Sequence, residues 1–139
     1  MALTANAQQY VDLGLPSGTL WKDGNESTVV YTYMDALDQF GDKLPTLEQF
    51  QELKANCTWT WTGKGYKVTG ANGNSIILPV TGSSDCDGTV SDAKNSGSYW
   101  SSTPYDSKKA WFLGFGQGGA NIHNAKHCYG RAVRLVQNK

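Results

Sequence analysis

Ala110-Trp111-Phe112-Leu113-Gly114-Phe115-Gly116 carries two unlike rows of side chains. Side chains alternate across a strand, so Trp111, Leu113 and Phe115 share one face while Phe112, Gly114 and Gly116 share the other. The first row has the size and apolarity of a core. The second sets one large ring among glycines, a poor filling for a packed face. The next strand, Ala120-Asn121-Ile122-His123, repeats the contrast, with Ala120 and Ile122 reading as inward and Asn121 and His123 as outward. Regularity lapses over Asn124-Ala125-Lys126-His127-Cys128-Tyr129, read as a loop, and returns in a strand over Arg131–Val136. Trp100, Trp111, Leu113, Phe115, Ile122, Val133 and Leu135 are therefore expected to form a rigid frame. The outward row and the 123–129 loop are expected to be displayed on it, because exposed aromatic and His side chains among small residues have the composition of a recognition surface.

Upstream, Tyr10–Leu15 and Thr19–Trp21 flank Pro16-Ser17-Gly18 and read as a short hairpin. Leu37 and Phe40 at helical spacing, followed by Gly41, predict a helix over 34–40. Thr46 and Gln49 fit a capping box, and Leu47, Phe50 and Leu53 make an apolar stripe, so a second helix is expected from about 47 to 56. The period then changes to two. Thr58–Thr62, Tyr66–Thr69 and Ser75–Leu78 read as strands, the last two joined by Ala71-Asn72-Gly73-Asn74. Residues 81–98, rich in Gly, Ser and Asp, read as a surface loop. Further strands are expected at Tyr99–Ser102, Ala110–Gly116 and Ala120–His123. Helices early and strands late define an α+β class with two short helices, antiparallel sheets and long loops.

A chain of 139 residues fits one domain spanning 1–139. Twelve basic residues balance twelve acidic ones, which gives no electrostatic footprint for nucleic acid. Residues 105–139 hold six Lys or Arg against Asp106 alone, a tilt read as ordinary surface charge. No apolar run reaches the ~20 residues of a membrane span, and residues 1–9 lack the pattern of a signal peptide. Cys57, Cys86 and Cys128 lack metal-ligand spacing; three reduced thiols are the simpler reading, with one disulfide of unspecified pairing also open. Asp85, Asp87 and Asp92 lack the spacing of a calcium loop and read as solvated acids. Most of the five Trp read as core, with Trp59 or Trp61 partly exposed. Neighbouring strand residues point to opposite faces, so His127 and Cys128 would not pair as base and nucleophile, and no nucleotide-cradling motif is present. No catalytic residue, metal or cofactor is expected.

Longer strings add a resemblance. Tyr10-Val11-Asp12-Leu13-Gly14-Leu15-Pro16-Ser17-Gly18-Thr19-Leu20-Trp21 resembles the opening of a large paralogous domain family of gut and rumen bacteria. Leu44-Pro45-Thr46 through Trp61, Gly65–Gly70, Tyr99–Pro104 and Gly130-Arg131-Ala132-Val133-Arg134 resemble its later blocks, so the likeness covers most of the chain. That family is similar to C-type-lectin-like domains of the formylglycine-generating-enzyme branch, and some members look like variable proteins of diversity-generating retroelements. The resemblance implies a C-type-lectin-like scaffold, a variable region over about 99–136 and a virion, bacterial-surface or secreted location. The chain departs from the family in a shorter stretch over 22–42. It also lacks the enzyme branch's paired cysteines and the tripeptides of calcium-dependent sugar binding.

Adenine-directed mutagenesis of AAC or AAT codons can reach Asn, Asp, His, Tyr, Ser, Gly, Ala, Cys and Phe, among others, but never Lys, Gln, Glu, Met or Trp. Tyr105, Asp106, Phe112, Gly114, Gly119, Asn121, His123, Asn124, Ala125, His127, Cys128 and Tyr129 all fall in the reachable set, and an isolated Cys128 reads as a random draw. Lys108, Lys109, Gln117 and Lys126 fall outside it. These twelve residues are the expected ligand-binding set, with Tyr105, Phe112 and Tyr129 as aromatic anchors and the polar members as hydrogen-bonding groups. The expectation is a non-enzymatic display domain whose partner is a cell-surface protein or glycan. Its alternatives are a fixed carbohydrate-binding or adhesin module and, more distantly, a structural subunit of an envelope or tail.

Overall fold

Period-two patterning and glycine turns make strands the main regular structure of this chain, and the computed structural model describes residues 9–138. In chain order the elements are β1 (Tyr10–Asp12), β2 (Leu20–Lys22), β3 (Tyr31–Thr32), α1 (Tyr33–Phe40), a 3-10 turn (Gly41–Lys43) and α2 (Leu47–Asn56). Then follow β4 (Thr58–Trp61), β5 (Gly65–Thr69), β6 (Ser75–Pro79), β7 (Ser83–Ser84), β8 (Val90–Ser91), β9 (Gly97–Pro104), β10 (Lys109–Gly116), β11 (Gly119–Lys126), β12 (Gly130–Arg131) and β13 (Val136–Gln137). Among the described residues these strands form four sheets, ordered β1-β2-β13, β11-β10-β9, β3-β12-β7-β8 and β4-β5-β6, all with antiparallel pairing. The class is α+β, as the patterning predicts.

Local chemistry sets the helix ends. The Thr46 hydroxyl accepts the Gln49 amide at 3.1 Å and the Gln49 side chain accepts the Thr46 amide at 2.9 Å, so the capping box forms in full. Thr32 caps α1, and Gly41, at φ 53°, ends it by donating its amide to the Leu37 carbonyl. The buried residues of α1 are Tyr33 and Ala36, while Leu37 and Phe40, the expected stripe, are half-buried at its flank.

The β9–β10–β11 sheet separates two apolar clusters. On one side Tyr99, Leu113 and Phe115 join Phe50 and Leu53 of α2 and Val68, Ile76 and Leu78 of the β4–β6 sheet. On the other, Trp100 and Ala110 join Tyr33, Ala36, Leu44, Val133 and Leu135. Gly97 is required here: a Cβ at that position would stand 2.2 Å from the Phe115 ring.

Four expectations need correction. Trp111 is half-buried and joins neither apolar cluster, its ring resting edge-on against the exposed Tyr105 at 5.2 Å. β11 continues through Asn124, Ala125 and Lys126, paired with Trp111, Ala110 and Lys109, since ladder hydrogen bonding is indifferent to the side chains that broke the pattern. The loop expected over 123–129 therefore shrinks to a turn over 127–129. Within 81–98, β7 and β8 form a ribbon with Gly82 and Ser84 buried, and Ser84 reaches β12 because Gly130 has no Cβ to meet its hydroxyl. Finally, 131–136 is not one strand. It leaves β12, crosses buried beneath the sheets and re-forms as β13.

Trp100, fully buried, and Trp111, half-buried, should separate in urea denaturation. Trp100→Ala is expected to cost about 3–5 kcal/mol and Trp111→Ala about 1–2 kcal/mol, and equal losses would contradict this difference in packing.

Candidate functional site

Pairing register decides which of the expected residues meet. Gly114 stands opposite Asn121, Phe112 opposite His123 and Ala110 opposite Ala125, so these six share one face of the sheet. Asn124 pairs with Trp111 and belongs to the other row. At the open end of the shared face Asn121 and His123 are exposed, and among the described residues neither side chain has a hydrogen-bond partner. Gly114 is kept small by the Phe112 ring, 3.1 Å from where its Cβ would be, whereas Gly119, at φ 136°, faces open space in the β10–β11 turn.

The opposite end is packed. Phe112 is half-buried: its ring lies edge-on to Trp100 at 6.1 Å, and the Arg131 guanidinium stacks over it at 3.5 Å. Ala125 and Tyr129 also pack against that cluster. Phe112 thus supports the face more than it projects from it, because Arg131 takes the ring surface an anchor would offer. Tyr105 projects more freely and is 51% exposed. Asp106 is exposed, but its Oδ1 accepts the amides of Lys108 and Lys109, both at 2.8 Å. Those bonds, the Lys108 amide foremost, hold its carboxyl below the usual range.

The turn over 127–129 is held from two directions, by Tyr33 and by Cys86. The His127 ring lies on Tyr33 at 4.5 Å, and its carbonyl accepts the Tyr33 amide. Cys128 is joined to Cys86, 42 residues earlier, with Cα atoms 4.9 Å apart. This corrects both the reading of three reduced thiols and that of Cys128 as an isolated draw. The bond fastens the tip of the β7–β8 ribbon to the turn, two neighbours whose proximity no local pattern announces. Cys57 alone keeps a free thiol, which burial raises above its ordinary pKa.

Arg131 reads in the sequence as ordinary surface charge on a scaffold strand, while Phe112, Ala125 and Tyr129 around it belong to the expected ligand-binding set. It is 93% buried, taking its 7% exposure, and one amino group donates to the Ser98 hydroxyl. Trp100 and Tyr129 stand 5.1 and 5.7 Å from its guanidinium carbon. Desolvation lowers its pKa to about 10, so it remains a cation at neutral pH. Among the described residues its Nε has no hydrogen-bond partner. Among the described residues the one ion pair is Lys22–Glu26, and no carboxylate compensates Arg131. Arg134, three residues on, shows the contrast: it donates to Asn25 Oδ1 and to the carbonyls of Lys22 and Ile77 at 2.6–3.0 Å. A polar residue in an otherwise apolar stretch, Ala132, Val133, Leu135, Val136, was the available signal. Arg131 opens onto a shallow cleft of about 390 Å³ that Lys109, Lys126 and Tyr129 also border.

A larger cleft of about 670 Å³ lies away from this face, between residues 25–29 and 79–81. Its single carboxylate, Glu26, is already paired with Lys22. No helix among the described residues is long and apolar enough to cross a membrane.

Fold and face together define an α+β domain of mainly antiparallel strands that holds an open sheet face over a two-sided core. The chain belongs to the family described as Domain of unknown function (DUF8237), which matches residues 48–136 and so takes in the whole β9–β11 sheet and the turn after it. No curated protein and no solved structure matches the chain.

Replacing Cys86 and Cys128 together by Ser should lower stability by about 2–4 kcal/mol, since the bond closes a long loop in the unfolded chain. The same loss should follow treatment of the wild-type chain with reductant, and Cys57→Ser should leave that response intact. A reductant-insensitive melting temperature would contradict the bond's role.

Proposed function

We propose that the domain is a non-enzymatic ligand-binding module of C-type-lectin-like architecture, presented on a virion or a bacterial surface and taking a cell-surface protein or glycan. The observation that carries the reading is the two-sided fixing of β10. One of its faces is sealed into the main core, while the other carries Gly114 beside Asn121 and His123 of β11, whose polar side chains are exposed and have no hydrogen-bond partner among the described residues. Polar groups already held in place on a ladder bind a partner with little ordering entropy lost. At the other end of the sheet, in the β9–β10 turn, Tyr105 sets an exposed ring against Trp111, suited to an anchor. The lectin-like architecture is supported by two short helices ahead of antiparallel strands, and by β2, which pairs with both the first and the last strand.

Diversification by a retroelement is part of the proposal. It is supported at Tyr105, Asp106, Asn121 and His123, exposed positions where substitution leaves both clusters intact. One observation favours the second reading, a fixed carbohydrate-binding or adhesin module: Cys128 is bonded to Cys86 and His127 is stacked on Tyr33, so neither is free to vary without cost.

Sequencing this gene across individuals of its source population separates the two. Diversification predicts replacements concentrated at Tyr105, Asp106, Asn121 and His123, in adenine-bearing codons, with Trp100, Leu113 and Phe115 unchanged. Evenly spread, mostly silent changes would leave the fixed module. In either case Asn121→Ala and His123→Ala should keep the wild-type melting temperature to within about 0.5 kcal/mol of stability.

A further inference from the structure

Arg131 is a cation built into the fold without an anion. Removing an ion from water costs several kcal/mol even after relaxation, and three aromatic rings at 3.5–5.7 Å return only part of that. Ser98 satisfies one amino group, and among the described residues Nε has no hydrogen-bond partner. The neighbouring charges sharpen the imbalance. Lys109 and Lys126 stand directly opposite each other across the β10–β11 ladder, an arrangement that like charges disfavour. Both border the cleft that Arg131 opens onto, and none of the residues around it is acidic. The nearest carboxylate in sequence, Asp106, is occupied by the amides of Lys108 and Lys109.

We propose that this cleft is an anion subsite of the ligand face and that it takes the carboxylate of an acidic sugar. A carboxylate seated there would accept charge-assisted hydrogen bonds and relieve the lysine pair. The sugar is favoured over an acidic peptide by the rest of the wall. The cleft is shallow, at about 390 Å³, with the half-buried Tyr129 ring for an apolar ring face. That is a place for one compact ring with polar edges and offers no groove for an extended backbone. The inference rests on the ligand-face reading above.

The test uses the full chain, labelled with 15N, and titrates glucuronate against glucose and against a blocked Glu-containing tripeptide of equal charge. The readout is the Arg131 Nε–H resonance. Glucuronate should shift it saturably and glucose should not. The double variant Lys109→Ala/Lys126→Ala, folded by its unchanged backbone spectrum, should bind glucuronate about tenfold more weakly, and added salt should weaken wild-type binding. An equal response to glucose, no response to glucuronate, or unchanged affinity in the double variant would overturn the anion subsite. Stronger binding of the tripeptide than of glucuronate would overturn the sugar assignment. A glycan array with the same chain distinguishes this failure from that of the wider reading. Neutral glycans bound by wild type and lost in Asn121→Ala/His123→Ala would leave the ligand face standing with the anion subsite gone.

Discussion

Residues 130–137 are the constraint on which the rest of the molecule hangs. In eight residues the chain pairs with β3 and β7 through β12, bridges to β9 through Tyr99 and Ala132, and pairs with β2 through β13. Three of the four sheets are joined by this one strip, and residues 130–136 are all buried. Its polar cost is met unevenly. Arg134 is saturated by carbonyls and an amide, tying the strip to β2 and β6, whereas Arg131 is held by rings and one hydroxyl. The strip thus does two jobs with two arginines: one closes the fold, and the other is left partly unsatisfied beneath the open sheet.

That arrangement explains how a sheet of three strands can present a face without losing rigidity. β10 is clamped between β9 and β11 and sealed from one side by α2 and the β4–β6 sheet. β9 is itself pinned, its Trp100 indole donating to the Tyr31 carbonyl at 2.9 Å and its Tyr99 hydroxyl to the Pro79 carbonyl at 2.7 Å. The turn after β11 is fastened by the Cys86–Cys128 bond and by His127 on Tyr33. What remains unfastened is small: Asn121, His123, Tyr105 and the lysine-bordered cleft.

Much of this could be read in the sequence wherever chemistry is local. Thr46 and Gln49 announce the second helix because a capping box needs only four consecutive residues. Asn72-Gly73 announces the β5–β6 turn because few residues accept φ near 89°. The inward row Leu113, Phe115 and Ile122 follows from alternation alone. Long-range relations were not legible. Trp111 obeys the same alternation as Leu113, yet it joins neither buried cluster, a difference that alternation does not carry. Cys86 and Cys128 carry no local mark of being neighbours. Phe112 reads as outward, and it does leave the main core, but it packs against the second cluster under Arg131, nineteen positions away in a segment that reads as scaffold. The site was therefore legible as a region and a face. Which of its members are free had to come from the packing.

The central claim is that a tolerant face is mounted on an intolerant frame, and saturation substitution over residues 99–137 with protease resistance as the readout tests it most directly. Asn121, His123 and Tyr105 should accept nearly every residue, while Trp100, Leu113, Phe115, Val133 and Arg134 should accept almost none. Similar tolerance across both groups, or a face as restricted as the frame, would contradict the account.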